Sequence, residues 1–286
     1  MRAKSFAKIN LGLEVLRKRE DNYHEIRTLF QTIDLFDILE FRTVTNSTIR
    51  LLGDDESVPW NEENLIFKAI HLLQDRCNLS QGIEVQVEKN IPPGKGLGGG
   101  SGNAAITLYV LNKIWSLNLS KKDLMQLGKT IGTDVPYFLE GGLCLGTERG
   151  DKIAPLDDLV PLSCLLVLPS FPISTSSVYG DFEFTLTSGD KDSKIIKFLT
   201  ERNICFLENR LEETVFKIYP QLRDIKNLFP RLGSELSLVS GTGSAVFGLF
   251  TDKDKAKRGL SELKEKYPSL LVETLSRECY WNRVGV

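Results

Sequence analysis

Cysteine is sparse and scattered in this sequence. The five cysteines stand at 77, 144, 164, 205 and 279, and no Cys-x-x-Cys pair occurs. The scatter and the odd number point to neither a disulfide framework nor a zinc site. A long apolar run is also missing; nothing approaches the ~18 residues of a membrane span. No one sign of charge dominates, with 36 basic against 38 acidic residues and a net charge of −2. Neither nucleic acid nor an anionic membrane is expected as a partner. The opening Met1-Arg2-Ala3-Lys4-Ser5-Phe6-Ala7-Lys8 is too polar for a signal-peptide core, so a cytoplasmic location is the expectation. Internal repeats are absent, as is low-complexity sequence outside one glycine-rich stretch. At 286 residues, 41% hydrophobic and 26% charged, the chain suits a globular protein of one large domain or two ordinary ones.

That glycine stretch organises the rest. It runs Pro92-Pro93-Gly94-Lys95-Gly96-Leu97-Gly98-Gly99-Gly100-Ser101-Gly102-Asn103-Ala104-Ala105. Before it, residues 83–89 alternate apolar and polar like a half-buried strand. After it, Ala104, Leu108, Leu111 and Trp115 share one helical face. Strand, glycine loop and helix start together make an anion site, most naturally for phosphate. A Rossmann reading fails because no second strand ending in an acidic residue follows about 20 positions on. A Walker A reading fails because no Gly-Lys-Ser/Thr closes the loop.

Elsewhere the pattern is α+β. Residues 3–16 read as a strand, with Lys8 and Asn10 on the face opposite Ile9 and Leu11. Residues 17–22 form a charged turn before Tyr23-His24-Glu25, and 28–52 hold several short β-like runs. Residues 64–76 and 120–131 have helical spacing, the second capped by Ser120 with Asp123 at N3. Pro136 suits the first turn of a short helix, with Asp134 just ahead of it. Gly141-Gly142 opens a hairpin that turns at Arg149-Gly150-Asp151. A first domain, 1–155, is expected to end near Pro155, and 156–286 forms a second. In the second, 162–168 and 245–250 read as buried strands and 169–177 as a loop. Residues 190–230 read as mainly helical, with breaks near Asn203 and Pro220. Ser240-Gly241-Thr242-Gly243-Ser244 is another glycine turn, Asp252 caps a helix to about Tyr267, and 270–275 is a closing strand.

Three of these stretches, in order, resemble the GHMP family of small-molecule kinases, which includes galactokinase, homoserine kinase and mevalonate kinase. They are the N-terminal strand motif, the Gly-Leu-Gly-Gly-Gly-Ser loop at 96–101 and the late Gly-x-Gly turn. The resemblance covers essentially the whole chain. Ala7-Lys8-Ile9-Asn10-Leu11-Gly12-Leu13, then Tyr23-His24-Glu25-Ile26, then Gly132-Thr133-Asp134-Val135-Pro136, is similar to one branch of the family. That branch acts on a cytidine diphosphate alcohol on the non-mevalonate route to isoprenoids.

The resemblance implies a two-domain α+β fold with the active site in the cleft between the domains. It implies ATP, with Mg2+, over residues 92–103, and Ser101 as the best candidate metal ligand. Asp134 would accept the acceptor's proton and Lys8 would bridge the developing charge. Asn10, Tyr23, His24, Ser174, Thr175, Tyr179, Gly241, Thr242 and Gly243 would bind the acceptor, the two tyrosines stacking on its cytosine. Taken without the resemblance, Lys8 reads as a solvated strand lysine, Asp134 as a helix cap and the tyrosines as packing. Gly102 departs from the family's second loop serine, removing a hydroxyl near the phosphates. Two other readings stay open: a kinase of mevalonate, homoserine or another small alcohol, and a nucleotide-binding module without turnover. A monomer or weak homodimer is expected.

Overall fold

The structure is a computed structural model, and it describes residues 1–183 and 192–286. Strands β1 (Arg2–Lys18) and β2 (His24–Thr43) form a long antiparallel hairpin. β2 is one continuous strand where short runs were expected up to residue 43. It is held on both edges: β1 pairs with one, while β4 (Ile83–Glu88) and β5 (Leu143–Thr147) pair with the other. Register shifts between Phe6/Ala7, Asn10/Gly12 and Val15/Arg17 let β1 follow the sheet twist over that length. β3 (Ile49–Gly53) and β6 (Lys152–Pro155) complete the first sheet, in the order β3-β4-β2-β5-β6. Helices α1 (Leu65–Cys77), α2 (Gly99–Ile114), α3 (Lys121–Ile131) and α4 (Val135–Phe138) pack with it around Phe6, Phe41, Leu108 and Tyr137.

The second sheet is antiparallel throughout. Its order is β10-β7-β9-β8, from β7 (Ser163–Val167), β8 (Leu236–Val239), β9 (Val246–Phe250) and β10 (Ser269–Glu273). Helices α5 (Thr175–Gly180), α6 (Lys194–Glu201), α7 (Glu212–Ile218), α8 (Pro220–Lys226), α9 (Phe229–Leu232) and α10 (Lys253–Leu263) accompany it. The break near Asn203 is a 3-10 turn at Ile204–Phe206, and Pro220 begins α8. Residues 190 and 191 of the expected helical region lie outside the described residues. The two halves share a buried seam: Ala7, Ile9 and Leu29 of the first sheet pack with Cys164, Leu166 and Phe247 of the second.

Three further elements differ from the sequence expectation. α2 starts at Gly99, five residues before the Ala-rich run, because the buried stretch from Gly102 to Leu108 anchors the helix despite glycine's low helix propensity. α5 forms inside the expected loop, its first turn capped by Ser174. A last helix, α11 (Arg277–Val284), follows the closing strand and returns to the first core. Its Tyr280 is fully buried, 5.6 Å from the Phe6 ring, and its hydroxyl donates to the Phe138 carbonyl at 2.6 Å.

Tyr280→Ala should therefore cost about 3–5 kcal/mol, the usual cost of deleting a buried aromatic ring. Tyr280→Phe should cost only about 1 kcal/mol, for one hydrogen bond. Urea midpoints at unchanged m-value test both; an unmoved midpoint in the alanine variant would detach α11 from the first core.

Candidate active site

A cleft of about 1120 Å3 lies between the two halves, lined by β1, the glycine loop, the residues before α4, α5 and the second glycine turn. The loop's backbone explains its composition. Gly94, Gly96 and Gly98 all have positive φ, at 68°, 75° and 71°. At Gly96 a Cβ would stand 2.1 Å from the Ser240 carbonyl oxygen; at Gly98 it would stand 2.7 Å from the Phe138 ring. Only glycine fits either place. The alternate residues, Lys95 and Leu97, bury their side chains. Gly98 then serves as N-cap of α2 without a side-chain cap bond, and Gly99, Gly100 and Ser101 line the cleft. The positive end of a sixteen-residue helix thus borders the cavity.

The loop is held from within. Its carbonyls at Gly94, Lys95, Gly96 and Leu97 accept from Ile173 N–H, Ala245 N–H, Ser240 Oγ and Lys8 N–H, at 3.4, 3.1, 2.9 and 3.0 Å. Its approach is fixed by Asp37, a fully buried carboxylate. Asp37 accepts from the N–H groups of Asn90 and Ile91, both at 2.8 Å, from Lys89 Nζ at 2.6 Å and from Asn103 Nδ2 at 3.0 Å. One carboxylate thereby ties the end of β4 to the first turns of α2. Four donors compensate its burial.

Across the loop stands the lysine–aspartate pair. Lys8 is 4% exposed, and its Nζ lies 2.6 Å from Asn10 Oδ1 and 3.4 Å from Asp134 Oδ2. The Phe30 ring lies 5.4 Å from the same ammonium. The solvated-lysine reading is thus excluded. Asp134 precedes α4 but makes no side-chain cap bond, so the capping reading also fails. The pair brings an ammonium and a carboxylate to one point of the cleft.

At the other end His24 stacks on Tyr179, ring centres 5.0 Å apart at 24°. Tyr23 is 52% exposed, with the Arg149 guanidinium 5.1 Å from its ring centre. The expected pair of tyrosines therefore borders the cleft, but in this state histidine covers one face of Tyr179. Burial lowers the His24 pKa, with Lys18 adding to the shift, which favours the neutral ring. Burial raises the Tyr179 hydroxyl, and the nearby charge of Asp134 raises it further.

Four of the residues expected in the site do not line the cleft. Gly102 is buried, and a Cβ there would point at Ser5 Oγ and the Phe6 carbonyl, 2.9 and 3.2 Å away. Its lack of a hydroxyl therefore concerns packing on β1, not the cavity. Asn103 gives its amide to Asp37. Ser174 Oγ caps α5, and Ser176 lines the cleft in its place. A Cβ at Gly243 would point at Val239, Ile173 and Leu222. Lys95 lines the cleft, but its ammonium turns away to the Pro169 and Phe171 carbonyls, at 2.6 and 2.7 Å. Phe30, Leu65 and Arg149 line the cleft without having been expected there. Arg149 sits on a hairpin turn, where no periodicity shows which way a side chain points.

A glycine loop beside a lysine–aspartate pair in a cleft of this fold defines a small-molecule kinase of the GHMP class. The model for the GHMP kinases N terminal domain matches residues 64–142, and that for the GHMP kinases C terminal matches 195–269. A 4-diphosphocytidyl-2-C-methyl-D-erythritol kinase of Caldanaerobacter subterraneus subsp. tengcongensis is 38% identical over 282 residues, 95% of this chain and 96% of its own. One of Syntrophus aciditrophicus is 41% identical over 252 residues, 88% and 90%. A crystal structure of 4-(cytidine 5'-diphospho)-2C-methyl-D-erythritol kinase matches with a TM-score of 0.80 at 31% identity, covering 96% of this chain and 99% of that one. The chain belongs to the 4-diphosphocytidyl-2-C-methyl-D-erythritol kinase family.

The loop can be probed where substitution does not disturb packing. At Gly100 a Cβ meets nothing nearer than Leu65 Cδ1 at 3.8 Å. Gly100→Ala should raise stability by up to about 1 kcal/mol. It should still weaken an ATP analogue about tenfold, on the scale of one hydrogen bond to a charged group. Gly98→Val, against Phe138 and Lys8, should lower both. Calorimetric titration and melting of the two variants separate these effects; unchanged affinity in both would remove the phosphate assignment.

Proposed function

We propose that this chain transfers the γ-phosphoryl group of ATP to the 2-hydroxyl of 4-(cytidine 5'-diphospho)-2-C-methyl-D-erythritol, on the non-mevalonate route to isoprenoid precursors. The observation that carries the reading is the pair of buried Lys8 and half-buried Asp134 beside the glycine loop. The chain's full-length relatives bear that enzyme's name. We assign 1–155 to the nucleotide and 156–286 to the acceptor, in a cytoplasmic monomer or weak homodimer that binds no nucleic acid.

Transfer needs alignment and charge neutralisation more than covalent chemistry. Asp134 takes the proton of the acceptor hydroxyl. The oxygen forms its bond to the γ-phosphorus, the bond to the bridging oxygen breaks, and ADP leaves. Lys8, held by Asn10, stabilises the charge that develops between them. Among the described residues no group of three or more carboxylates, histidines or cysteines could hold a metal ion. That fits Mg2+ carried chiefly by the nucleotide's own oxygens. Ser101, a half-buried hydroxyl in the first turn of α2 beside Gly132, is the protein group that would hold it. When bound it would neutralise phosphate charge. Tyr23, His24 and Tyr179 receive the cytosine, His24 moving off Tyr179 or the base using the other face.

Asp134→Asn should lower kcat by about 10²–10⁴-fold, the usual worth of a general base. ATP-analogue affinity should change little. Near wild-type turnover would leave the carboxylate a positioning role only. Tyr179→Ala should raise the acceptor's KM about 5- to 150-fold, as loss of about 1–3 kcal/mol of stacking implies. The KM for ATP should barely move. Steady-state kinetics on both substrates decides; equal shifts in the two constants would mean that Tyr179 supports only the fold.

A further inference from the structure

Lys95 stands in the glycine loop, yet its ammonium turns away from the cleft. Its side chain is 7% exposed, and its ammonium donates to two backbone carbonyls, Pro169 and Phe171. Burial lowers its pKa, and no carboxylate contributes to the shift. A buried ammonium without a counter-charge is costly, so its position calls for a reason. The two carbonyls belong to the segment between β7 and α5. That segment leads within four residues to Thr175 and within eight to Tyr179. It has other ties to the same place: Ile173 N–H donates to the Gly94 carbonyl, and Ser244 Oγ donates to Phe171 at 2.6 Å. Thr175 Oγ1 stands 3.1 Å from Thr242 Oγ1 on the second glycine turn.

We propose that Lys95 is a positioning residue that couples the two substrates: its ammonium joins the nucleotide loop to the acceptor segment 169–179, so that nucleotide on the loop orders the acceptor slot. The inference rests on the acceptor reading above. Of the side chains of loop residues 94–98, Lys95 alone hydrogen-bonds to that segment. The glycines cannot bridge it, and Leu97 is apolar. By linkage, whatever factor the nucleotide adds to acceptor affinity, the acceptor adds to nucleotide affinity.

The test is calorimetric titration of the cytidine diphosphate methylerythritol acceptor, with and without a saturating non-hydrolysable ATP analogue. The wild-type chain should bind acceptor about tenfold tighter with the analogue present, within the ordinary range of coupling factors. Lys95→Met and Lys95→Ala should bring that factor below about twofold. Lys95→Gln keeps two N–H donors on a shorter chain and should retain at least about half of it. A merely structural lysine would lower the melting temperature and leave the coupling factor intact in whichever variants fold. That result overturns the proposal, as does a wild-type chain without coupling. Weakening of the analogue alone by tenfold or more, with coupling intact, would make Lys95 a phosphate ligand instead. If the acceptor fails to bind with or without analogue, the acceptor reading itself falls and the strut with it.

Discussion

The hydrogen bond from the Lys8 N–H to the Leu97 carbonyl, at 3.0 Å, fixes the relation between the two parts of the site. Lys8 belongs to the central hairpin and Leu97 to the glycine loop. The residue that anchors the loop by its backbone thus presents its ammonium to the cleft by its side chain. Ser240 repeats the device from the other half, accepting from the Asn10 N–H at 3.3 Å and donating to the Gly96 carbonyl. The spacing between the glycine loop and the strand that carries Lys8 is therefore set by backbone, which varies far less than a long side chain. Transfer chemistry that relies on alignment gains most from that kind of support.

Three lysines flank the loop, and any of them could be taken for a phosphate ligand on charge alone. The structure separates them by partner. Lys89 closes on Asp37, Lys95 on two carbonyls and Lys8 on Asn10 and Asp134. Only the last arrangement leaves an ammonium beside a half-buried carboxylate in the cavity. The other two hold the ends of the loop: Lys89 at the exit of β4, Lys95 toward the second half. Burying three cations around one glycine loop is expensive in a low-dielectric interior. Fixed partners offset that, and they hold the loop in its shape.

Much of this was legible in the sequence, and the reason is local. Glycines at alternate positions announce a backbone with positive φ, and the strand before and helix after give the loop its setting. Ser120 and Asp123 announce a capped helix, and the structure has the full capping box. What escaped reading depends on distant partners. Whether Lys95 points to the cavity or away from it is decided by carbonyls more than seventy residues later. α11 buries only Tyr280 and Val284, too few for a periodic signal. Gly102 looks like a lost ligand in sequence; in the fold its place is crowded by Ser5 and Phe6 of β1.

Asp134 shows how backbone conformation selects between two roles open to one residue. An aspartate at a helix start is ordinarily a cap, and capping needs extended backbone so that the carboxylate can reach the N–H groups of the first turn. At Asp134 the backbone is already helical, with φ −84° and ψ −13°. The preceding turn closes by itself, Val135 N–H donating to the Gly132 carbonyl at 3.1 Å. Pro136 lacks an N–H altogether, which removes one of the donors a cap would serve. The carboxylate is thus released from the helix and lies 3.4 Å from Lys8. The Gly-Thr-Asp-Val-Pro sequence acts through the backbone: it puts an acid at a helix start and withholds the bonds that would otherwise hold it there.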